Sequence, residues 1–301
     1  MDSKYFLENG WSQIDLTIDK KKYDIISNEV INSRPWNEEI FRTYDDVFNN
    51  PRHIDISVKK NNFNLAENLN LDFIEKNFEF NQLLNKILGN DYEVILKKFV
   101  VSMPEHIIPK WLNPILEKKL DGNLAQYIKP KFRDISYFSG IDYHMDLLDY
   151  PNFDGDYLTV YIYFTDVKAD QSPLHIIENS HIYGATHFPH FLKKSKNENK
   201  ILYSKDGKNF DEFKSKKLIS KKGSIYFWSA LTIHGTIKSL NTLPRVALRI
   251  SVKKNINNKN RTLIDDLYKD KKIRLEKKTR TDIKINSDKT LQHEIFKRFL
   301  N

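Results

Sequence analysis

The alternation of apolar and polar residues in the C-terminal half of the chain predicts β-strands. In the segment from Pro244 to Val252, the even positions from Val246 onward are aliphatic, and the odd positions are Arg245, Ala247, Arg249 and Ser251. Side chains alternate faces along a strand, so one face here is apolar and the other carries two guanidinium groups. Similar patterns predict strands over 92–103, 158–164 and 223–230, and the 158–164 strand places Thr159, Tyr161 and Tyr163 on one face.

Apolar residues at helical spacing predict helices in the N-terminal third of the chain. They cover 23–31 and 61–89, the second ending at Gly89, and a shorter helix is predicted over 112–120. Residues 5–20 predict a short strand and a turn, and residues 53–58 alternate like a strand. These helices are expected to pack outside the strands.

Two lysine-rich segments differ in their predicted structure. Residues 192–222 contain the turn signals Asp206-Gly207 and Lys222-Gly223, which predict a solvated excursion between strands that is able to act as a lid. Residues 253–301 predict a polar linker and one or two helices, the last over 291–300. The sequence therefore predicts two parts, a body over 1–252 and a basic helical extension over 253–301 that packs on it.

Metal-ligating residue types occur at His144-Met145-Asp146 and, ninety positions downstream, at His234. Residues two apart in a strand lie on one face, so His144 and Asp146 are expected to bind one cation together. Two imidazoles and one carboxylate leave three of six octahedral positions open, an arrangement that suits Fe(II) binding a chelating co-substrate and then dioxygen. The two histidines and the aspartate are therefore predicted to be the ligands of an Fe(II) centre.

Arg245 supplies the second chemical signal. An arginine that faces a protein interior is costly unless an anion meets it, and its planar guanidinium suits a carboxylate bidentately. The distal carboxylate of 2-oxoglutarate would be such an anion. Arg249 lies on the same strand face, and two alternatives are open for it, namely a carboxylate or phosphate of the substrate, or an ion pair with a neighbouring acid.

The chain resembles the phytanoyl-CoA dioxygenase-like Fe(II)/2-oxoglutarate oxygenases, a family that also includes ectoine hydroxylases. Arg245 lies eleven positions after the distal histidine, a spacing typical of that family, and the segment 6–11 looks like its first strand. The other motifs that carry the resemblance are His144-Met145-Asp146, Ser172-Pro173-Leu174, Asn179-Ser180-His181-Ile182-Tyr183-Gly184, Gly223-Ser224 and His234-Gly235-Thr236. They extend over most of residues 137–252.

The resemblance implies a role for each of these residues. His144, Asp146 and His234 would bind iron, Arg245 would bind the far carboxylate of 2-oxoglutarate, and Thr236 would add a hydroxyl to it. Tyr161 would contact the co-substrate or the substrate if the hydroxyl-bearing face of its strand looks inward. Relatives carry glycine where this chain has Ser172 and Asn179, so these two turns are expected to change shape without loss of a ligand.

The cysteine content and the distribution of charge exclude some kinds of site and partner. The chain has no cysteine, which excludes disulfides and thiolate metal sites and fits a reducing compartment. Residues 253–301 hold 15 basic and 7 acidic residues, so they carry +8 of the net charge of +9 and the preceding body carries +1. Basic residues are thus not spread over a binding face, and a nucleic-acid partner is not expected. The sequence shows neither a leader pattern nor a long apolar run, and a cytoplasmic location is expected.

These observations together predict a mainly β protein with flanking helices, folded as a double-stranded β-helix (jelly roll, cupin-like). The predicted activity is an Fe(II)/2-oxoglutarate-dependent dioxygenase that uses O2 to hydroxylate, desaturate or cyclise a small, anionic metabolite. Two alternatives stay open at this point. One is a metal-containing jelly-roll binding module without turnover, and the other is an oxygenase that acts on a macromolecule.

Overall fold

Two six-stranded β-sheets pack face to face in the computed structural model, which describes residues 2–16, 18–49, 64–117, 122–149, 155–186, 188–271, 283–285 and 291–293. The strands are β1 (Trp11–Ile14), β2 (Glu93–Ser102), β3 (Ser136–Phe138), β4 (Ile141–His144), β5 (Tyr157–Tyr163), β6 (Leu174–Ile177), β7 (Phe191–Lys194), β8 (Lys200–Ser204), β9 (Asp211–Lys217), β10 (Ile225–Ser229), β11 (His234–Thr236) and β12 (Arg245–Lys253). The first sheet has the order β1-β10-β5-β12-β2-β3, and the second has the order β4-β11-β6-β9-β8-β7. All neighbours are antiparallel except β2 and β3. The predicted jelly roll is confirmed.

The two faces of β12 separate the core into two layers, as its alternation predicts. Val246, Leu248 and Ile250 pack in the larger apolar cluster together with residues of the helices. Ala247 packs on the other side, in a smaller cluster between the sheets that includes Tyr161, Tyr163 and Trp228 of the first sheet and Leu174 and Ile176 of the second. The guanidinium-bearing face of β12 therefore looks into the space between the sheets.

Helices cover the outer face of the first sheet. They are α1 (Ser3–Asn9), α2 (Lys20–Asn32), α3 (Tyr44–Asn49), α4 (Leu65–Asn68), α5 (Asp72–Glu75), α6 (Phe78–Leu88), α7 (Asn113–Leu116) and α8 (Leu263–Tyr268). The hydroxyl of Ser27 in α2 donates to the carbonyl oxygen of Phe164 at 2.7 Å, and the Tyr23 hydroxyl donates to that of Tyr163. No helix of the described residues is long and apolar enough to cross a membrane.

The N-terminal residues predicted as a strand form a helix first. The Asp2 carboxylate accepts hydrogen bonds from the backbone N–H groups of Lys4 and Tyr5, which caps α1, and Gly10 ends it at a φ of 76°. The strand is therefore confined to 11–14, which pairs with β10. The prediction for 5–10 was wrong because the cap and the left-handed glycine favour a helix over a continued strand.

The helix predicted over 61–89 is divided into α4, α5 and α6 within its described residues, 64–89. The side chains of Asn64, Asn70 and Asn77 each accept a hydrogen bond from a backbone N–H two or three residues onward. Asparagine competes for backbone groups in this way and so begins new helices rather than extending an existing one. The predicted helix over 112–120 is likewise reduced to α7, with residues 118–120 outside the described part.

The turns that carry glycine in the resembled family keep a left-handed backbone here. Ser172 has a φ of 53° and Asn179 a φ of 64°. The Ser172 hydroxyl donates to the carbonyl oxygen of Ile237 at 2.5 Å and accepts from the Ser102 hydroxyl at 2.7 Å. The side chains at both positions thus tolerate this conformation or are bonded into it.

The lysine-rich segment 192–222 is a sheet rather than a solvated excursion. It forms β7, β8 and β9, which extend the second sheet beyond β6. One face of this extension buries Leu192, Ile201, Tyr203 and Phe213, so alternate positions hold it in place while the lysines face outward.

The C-terminal segment shows one packed helix. Thr262 and Asp265 form a capping box at the start of α8, which buries Ile264, Leu267 and Tyr268. Farther on, β13 (Ile283–Ile285) pairs with β14 (Leu291–His293), so the predicted helix over 291–300 was wrong for 291–293, and 294–301 lie outside the described residues. Residues 53–58 and His187 also lie outside the described residues.

Candidate active site

Two histidines meet across neighbouring strands at the centre of the site. His234 of β11 is the direct partner of His144 of β4, and their ring centroids are 4.4 Å apart. The strands approach closely at Gly235, where a Cβ would lie 3.0 Å from the carbonyl oxygen of Ile141 and the backbone nitrogen of Tyr143. Sheet pairing therefore joins residues that are ninety positions apart in the sequence.

Each histidine is held in one tautomer by its own backbone. The Nδ1 atom of His144 lies 2.9 Å from the carbonyl oxygen of Asp142, and the Nδ1 atom of His234 lies 2.9 Å from that of Thr232. A carbonyl oxygen only accepts, so Nδ1 carries the hydrogen in both rings. Nε2 is therefore the atom of each ring that is placed to bind a metal, the arrangement found in metal-binding histidines.

Asp146 follows the end of β4 and begins a short 3-10 helix, 146–149. The prediction that His144 and Asp146 share one strand was therefore wrong, although the two side chains still meet. Asp146 is fully buried, and its Oδ2 atom accepts hydrogen bonds from the Thr159 hydroxyl at 2.5 Å and the Trp228 indole N–H at 2.8 Å. Its Oδ1 atom lies 2.7 Å from Nη2 of Arg249 and 3.5 Å from Nε2 of His234.

The charge state of Asp146 follows from these contacts. Burial is the largest single effect and raises the pKa of this carboxyl. Several attractions to nearby groups together outweigh burial, and the attraction to the Arg249 guanidinium is the largest of them. The pKa of Asp146 therefore lies well below its usual range. The carboxylate is thus ionised and oriented at neutral pH.

His144, Asp146 and His234, named here the His-Asp-His cluster, form an arrangement that can hold a metal ion. One ligand atom from each residue lies within 4.8 Å of the others, and no other such group of three occurs among the described residues. Two imidazoles and one carboxylate suit a divalent transition metal with open coordination positions. The donor types, tautomers and burial therefore fit a metal.

Arg245 is unusual because its charged side chain is buried and is not fully hydrogen-bonded. Its side chain is 1% exposed, and its Nε and Nη1 atoms are buried without a hydrogen-bond partner among the described residues. Its guanidinium carbon lies 5.6 Å from the ring centroid of Tyr161 and 6.0 Å from that of Tyr163. Aromatic faces attract a cation but do not satisfy its N–H groups, so this guanidinium is chemically suited to bind an anion.

One narrow cavity of about 40 Å³ joins these features. The residues that line it include the His-Asp-His cluster together with Tyr161, Thr236, Arg245 and Arg249. All seven predicted site residues therefore lie around one space between the sheets.

The remaining predicted site residues take different positions in this cavity. Tyr161 faces the space between the sheets, packed against Trp228 at 5.5 Å between ring centroids. The Thr236 hydroxyl accepts a hydrogen bond from the backbone N–H of Ile141 at 2.9 Å, which leaves its own hydrogen free to donate. Arg249 is bonded to Asp146, the ion-pair alternative.

Sequence reasoning did not foresee the partners of Asp146. Thr159 and Trp228 lie on different strands, β5 and β10, whose pairing sets Trp228 directly opposite Thr159. The inward hydroxyl face of β5 is a signal in the sequence, but nothing in it connects Trp228 to Asp146. These two donors belong to the candidate site because they fix the carboxylate.

Two further histidines, His181 and His190, do not form a metal site with the described residues. The Nε2 atom of His181 lies 3.1 Å from the carbonyl oxygen of Leu7, and the Nδ1 atom of His190 lies 3.3 Å from the Thr186 hydroxyl. Burial lowers the pKa of His181 to about 4 and that of His190 to about 3, so both rings are neutral.

No protein-family model matches the chain, and no curated protein matches its sequence. Structural matches include the epimerase SnoN in complex with Fe3+, alpha ketoglutarate and nogalamycin RO, at 10% identity and a TM-score of 0.48, covering 84% of this chain and 82% of SnoN. They also include the ThoJ-Ni complex, a non-heme monooxygenase (10% identity, TM-score 0.47, 84% of this chain and 76% of that one). A third is EctD from S. alaskensis in its apoform (10% identity, TM-score 0.47, 83% of this chain and 75% of that one). At these similarities, the chain's own residues carry the functional assignment.

Proposed function

We propose that this chain is an Fe(II)/2-oxoglutarate-dependent dioxygenase that oxidises an unactivated C–H bond of a small molecule. The observation that carries the proposal is the unpartnered, buried guanidinium of Arg245 in the same cavity as the His-Asp-His cluster. A metal and a dianion whose far carboxylate meets Arg245 would satisfy both groups at once. Hydroxylation is the default outcome, and desaturation or cyclisation would use the same site.

Each residue has a role in this proposal. The Nε2 atoms of His144 and His234 and the Oδ1 atom of Asp146 would hold Fe(II), and Thr159 and Trp228 would keep the carboxylate in place. Arg245 would bind the distal carboxylate of 2-oxoglutarate, and the Thr236 hydroxyl would donate to it. When bound, iron with 2-oxoglutarate and O2 supplies the oxidising power, releasing succinate and CO2. The protein contributes orientation and exclusion of water.

The substrate is proposed only as a small molecule. An anionic substrate was expected because Arg249 shares the face of Arg245, but its guanidinium is bonded to Asp146. This contact removes the reason for preferring an anion.

The experiment that tests the proposal measures succinate formed from 2-oxoglutarate. The protein is loaded anaerobically with Fe(II) and 2-oxoglutarate and then exposed to air, with Asp146→Ala and Arg245→Ala measured in parallel. We expect iron-dependent succinate formation by the unchanged chain even without substrate, and its loss in both variants. Arg261→Ala is the matched control, because that side chain is 73% exposed and lies outside the cavity.

Three outcomes would contradict the proposal or its substrate class. If the Fe(II) form neither binds 2-oxoglutarate nor forms succinate, the chain is not such an oxygenase. If metal and 2-oxoglutarate bind without turnover, a binding module becomes the better assignment. If turnover occurs but is coupled only to a protein or nucleic acid, the substrate class is wrong.

A further inference from the structure

The fixed charges of the cavity do not balance. Among the residues that line it, two carry a permanent positive charge, Arg245 and Arg249, and one carries a negative charge, Asp146. These three fixed charges therefore sum to +1. A divalent metal alone would raise this charge to +3, and a dianionic co-substrate would return it to +1.

Arg249 contacts the carboxylate oxygen of Asp146 that would also bind the metal. Its Nη2 atom lies 2.7 Å from Oδ1, the carboxylate oxygen that is 3.5 Å from Nε2 of His234. The other oxygen, Oδ2, is taken by Thr159 and Trp228. Oδ1 is thus the atom that faces the second ligand, and it already has a cationic partner.

The backbone holds this contact in place. Arg249 lies in the middle of β12, where its backbone pairs with Lys98 of β2 on one side and Tyr161 of β5 on the other. The side chain is only 12% exposed. Movement of the guanidinium is therefore confined to the side chain within the cavity.

A metal bound to Oδ1 would lie close to this guanidinium. Hard divalent cations bind carboxylate oxygens at roughly 2.0–2.6 Å, so the metal and Nη2 would be no more than about 5 Å apart. Repulsion between a divalent and a monovalent cation at this separation is strong in a buried site. An anion bound in the same cavity would offset it.

We propose that Arg249 is a resident counter-cation for Asp146, which weakens binding of a divalent metal alone and makes the metal and an anionic co-substrate bind interdependently. The inference rests on the metal centre of the proposed function. It differs from a purely orienting role in the sign of its effect, because an orienting residue strengthens metal binding whereas a counter-cation weakens it. By linkage, the same charge makes the co-substrate increase metal affinity.

The test is a titration of the purified full chain with Mn²⁺, with free Mn²⁺ measured by electron paramagnetic resonance, with and without saturating 2-oxoglutarate. We expect Arg249→Met to bind Mn²⁺ at least about tenfold more tightly than the unchanged chain when 2-oxoglutarate is absent. We also expect 2-oxoglutarate to tighten Mn²⁺ binding at least about tenfold more in the unchanged chain than in the variant.

Three further variants keep the test decisive. Arg249→Gln keeps an N–H donor for Asp146 without the charge, so it replaces Arg249→Met if that variant fails to fold by circular dichroism. Arg249→Lys keeps the charge and is expected to bind Mn²⁺ alone as weakly as the unchanged chain. Arg245→Met removes a guanidinium of the same cavity that does not bond to Asp146, and we expect a smaller change in affinity for Mn²⁺ alone.

The outcomes separate this inference from the function on which it rests. Equal or weaker Mn²⁺ binding by the neutral Arg249 variants in the absence of 2-oxoglutarate would overturn the counter-cation role and leave the oxygenase intact. Absence of Mn²⁺ binding by the unchanged chain, even with 2-oxoglutarate, would overturn the metal centre and this role together.

Discussion

Two buried arginines on opposite sides of the first sheet differ in how their charge is met. Arg34, on the helix side, donates to both carboxylate oxygens of Asp134 at 2.8 and 3.0 Å and also contacts the hydroxyl of Tyr137. Arg245, between the sheets, lies near the rings of Tyr161 and Tyr163, and two of its nitrogens have no hydrogen-bond partner among the described residues. Both side chains are almost fully buried. The comparison separates a buried guanidinium that is paired with an internal acid, as expected of a residue that maintains the fold, from one without such an acid, to which we assign a ligand in the proposed function.

The largest effect is expected for Arg245, the arginine that we assign to ligand binding. Arg245→Met should reduce the affinity of the Fe(II) form for 2-oxoglutarate at least about 100-fold, because it removes a buried charge-assisted contact. Its free energy of unfolding without ligand should stay equal or rise, since an unpaired buried charge is lost. Calorimetric binding and chemical denaturation check the two parts. A variant that is destabilised while its 2-oxoglutarate affinity is unchanged would assign Arg245 to the fold.

The structural arginine should show the opposite pattern. Arg34→Met should lower the free energy of unfolding by about 3 kcal/mol, because it leaves the Asp134 carboxylate largely buried without its partner. Affinity for 2-oxoglutarate should be unchanged in the folded variant. Denaturant unfolding of Arg34→Met beside Arg245→Met measures the contrast directly, and equal stability losses in the two variants would abolish it.

His181 extends the comparison to a buried group that, unlike arginine, can lose its charge. Burial lowers the pKa of His181 to about 4 from an ordinary value of 6.5. The folded protein therefore favours the neutral ring. This contribution is fully present above pH 6.5 and is lost as the pH falls from 6.5 towards 4, since the unfolded chain binds the proton first.

The expected size of this loss is roughly 2 kcal/mol between pH 7 and pH 4.5. It is measured as the difference between the unchanged chain and His181→Gln in denaturant unfolding at the two pH values. The glutamine variant, whatever its stability at pH 7, should lose less on acidification. Parallel losses in both proteins would show that His181 is not responsible.

The smallest effect is expected on stability, at Asn179 and Ser172, the two non-glycine turn residues with a left-handed backbone described above. Asn179→Gly should raise the free energy of unfolding by about 0.5 kcal/mol, because glycine adopts its φ of 64° without strain. Ser172→Gly should not stabilise, since it removes the hydrogen bonds to Ser102 and Ile237. Thermal unfolding of the two variants distinguishes the effects, and equal shifts would mean that these hydrogen bonds contribute nothing.

The sequence predicted the parts that depend on local periodicity. The alternation of β12 places Arg245 and Arg249 on the inner face, and the structure brings His144, Asp146 and His234 into one cluster. The parts that failed depend on side-chain caps and on distant neighbours. Asp2 and Gly10 convert a predicted strand into α1, and Asn70 and Asn77 divide a predicted helix.

Pairing between distant elements also decided the partner of each charged group. Nothing in the spacing of Arg34 and Arg245 distinguishes a paired from an unpaired guanidinium, because Asp134 lies one hundred residues from Arg34. Likewise, Arg249 meets Asp146 across 103 positions. The role of a charged residue in this chain follows from the register of the sheets, which single-sequence patterns do not specify.

Gly235 carries no reactive group, yet it allows the close approach of the two strands that present the histidines. The backbone of β11 approaches β4 so closely that a single methyl group at this position would meet main-chain atoms on the neighbouring strand. The spacing of the two strands in turn sets the separation of the two imidazoles that they present. A side chain at position 235 would therefore push the two strands apart and change the separation of the two imidazoles, without altering either ligand.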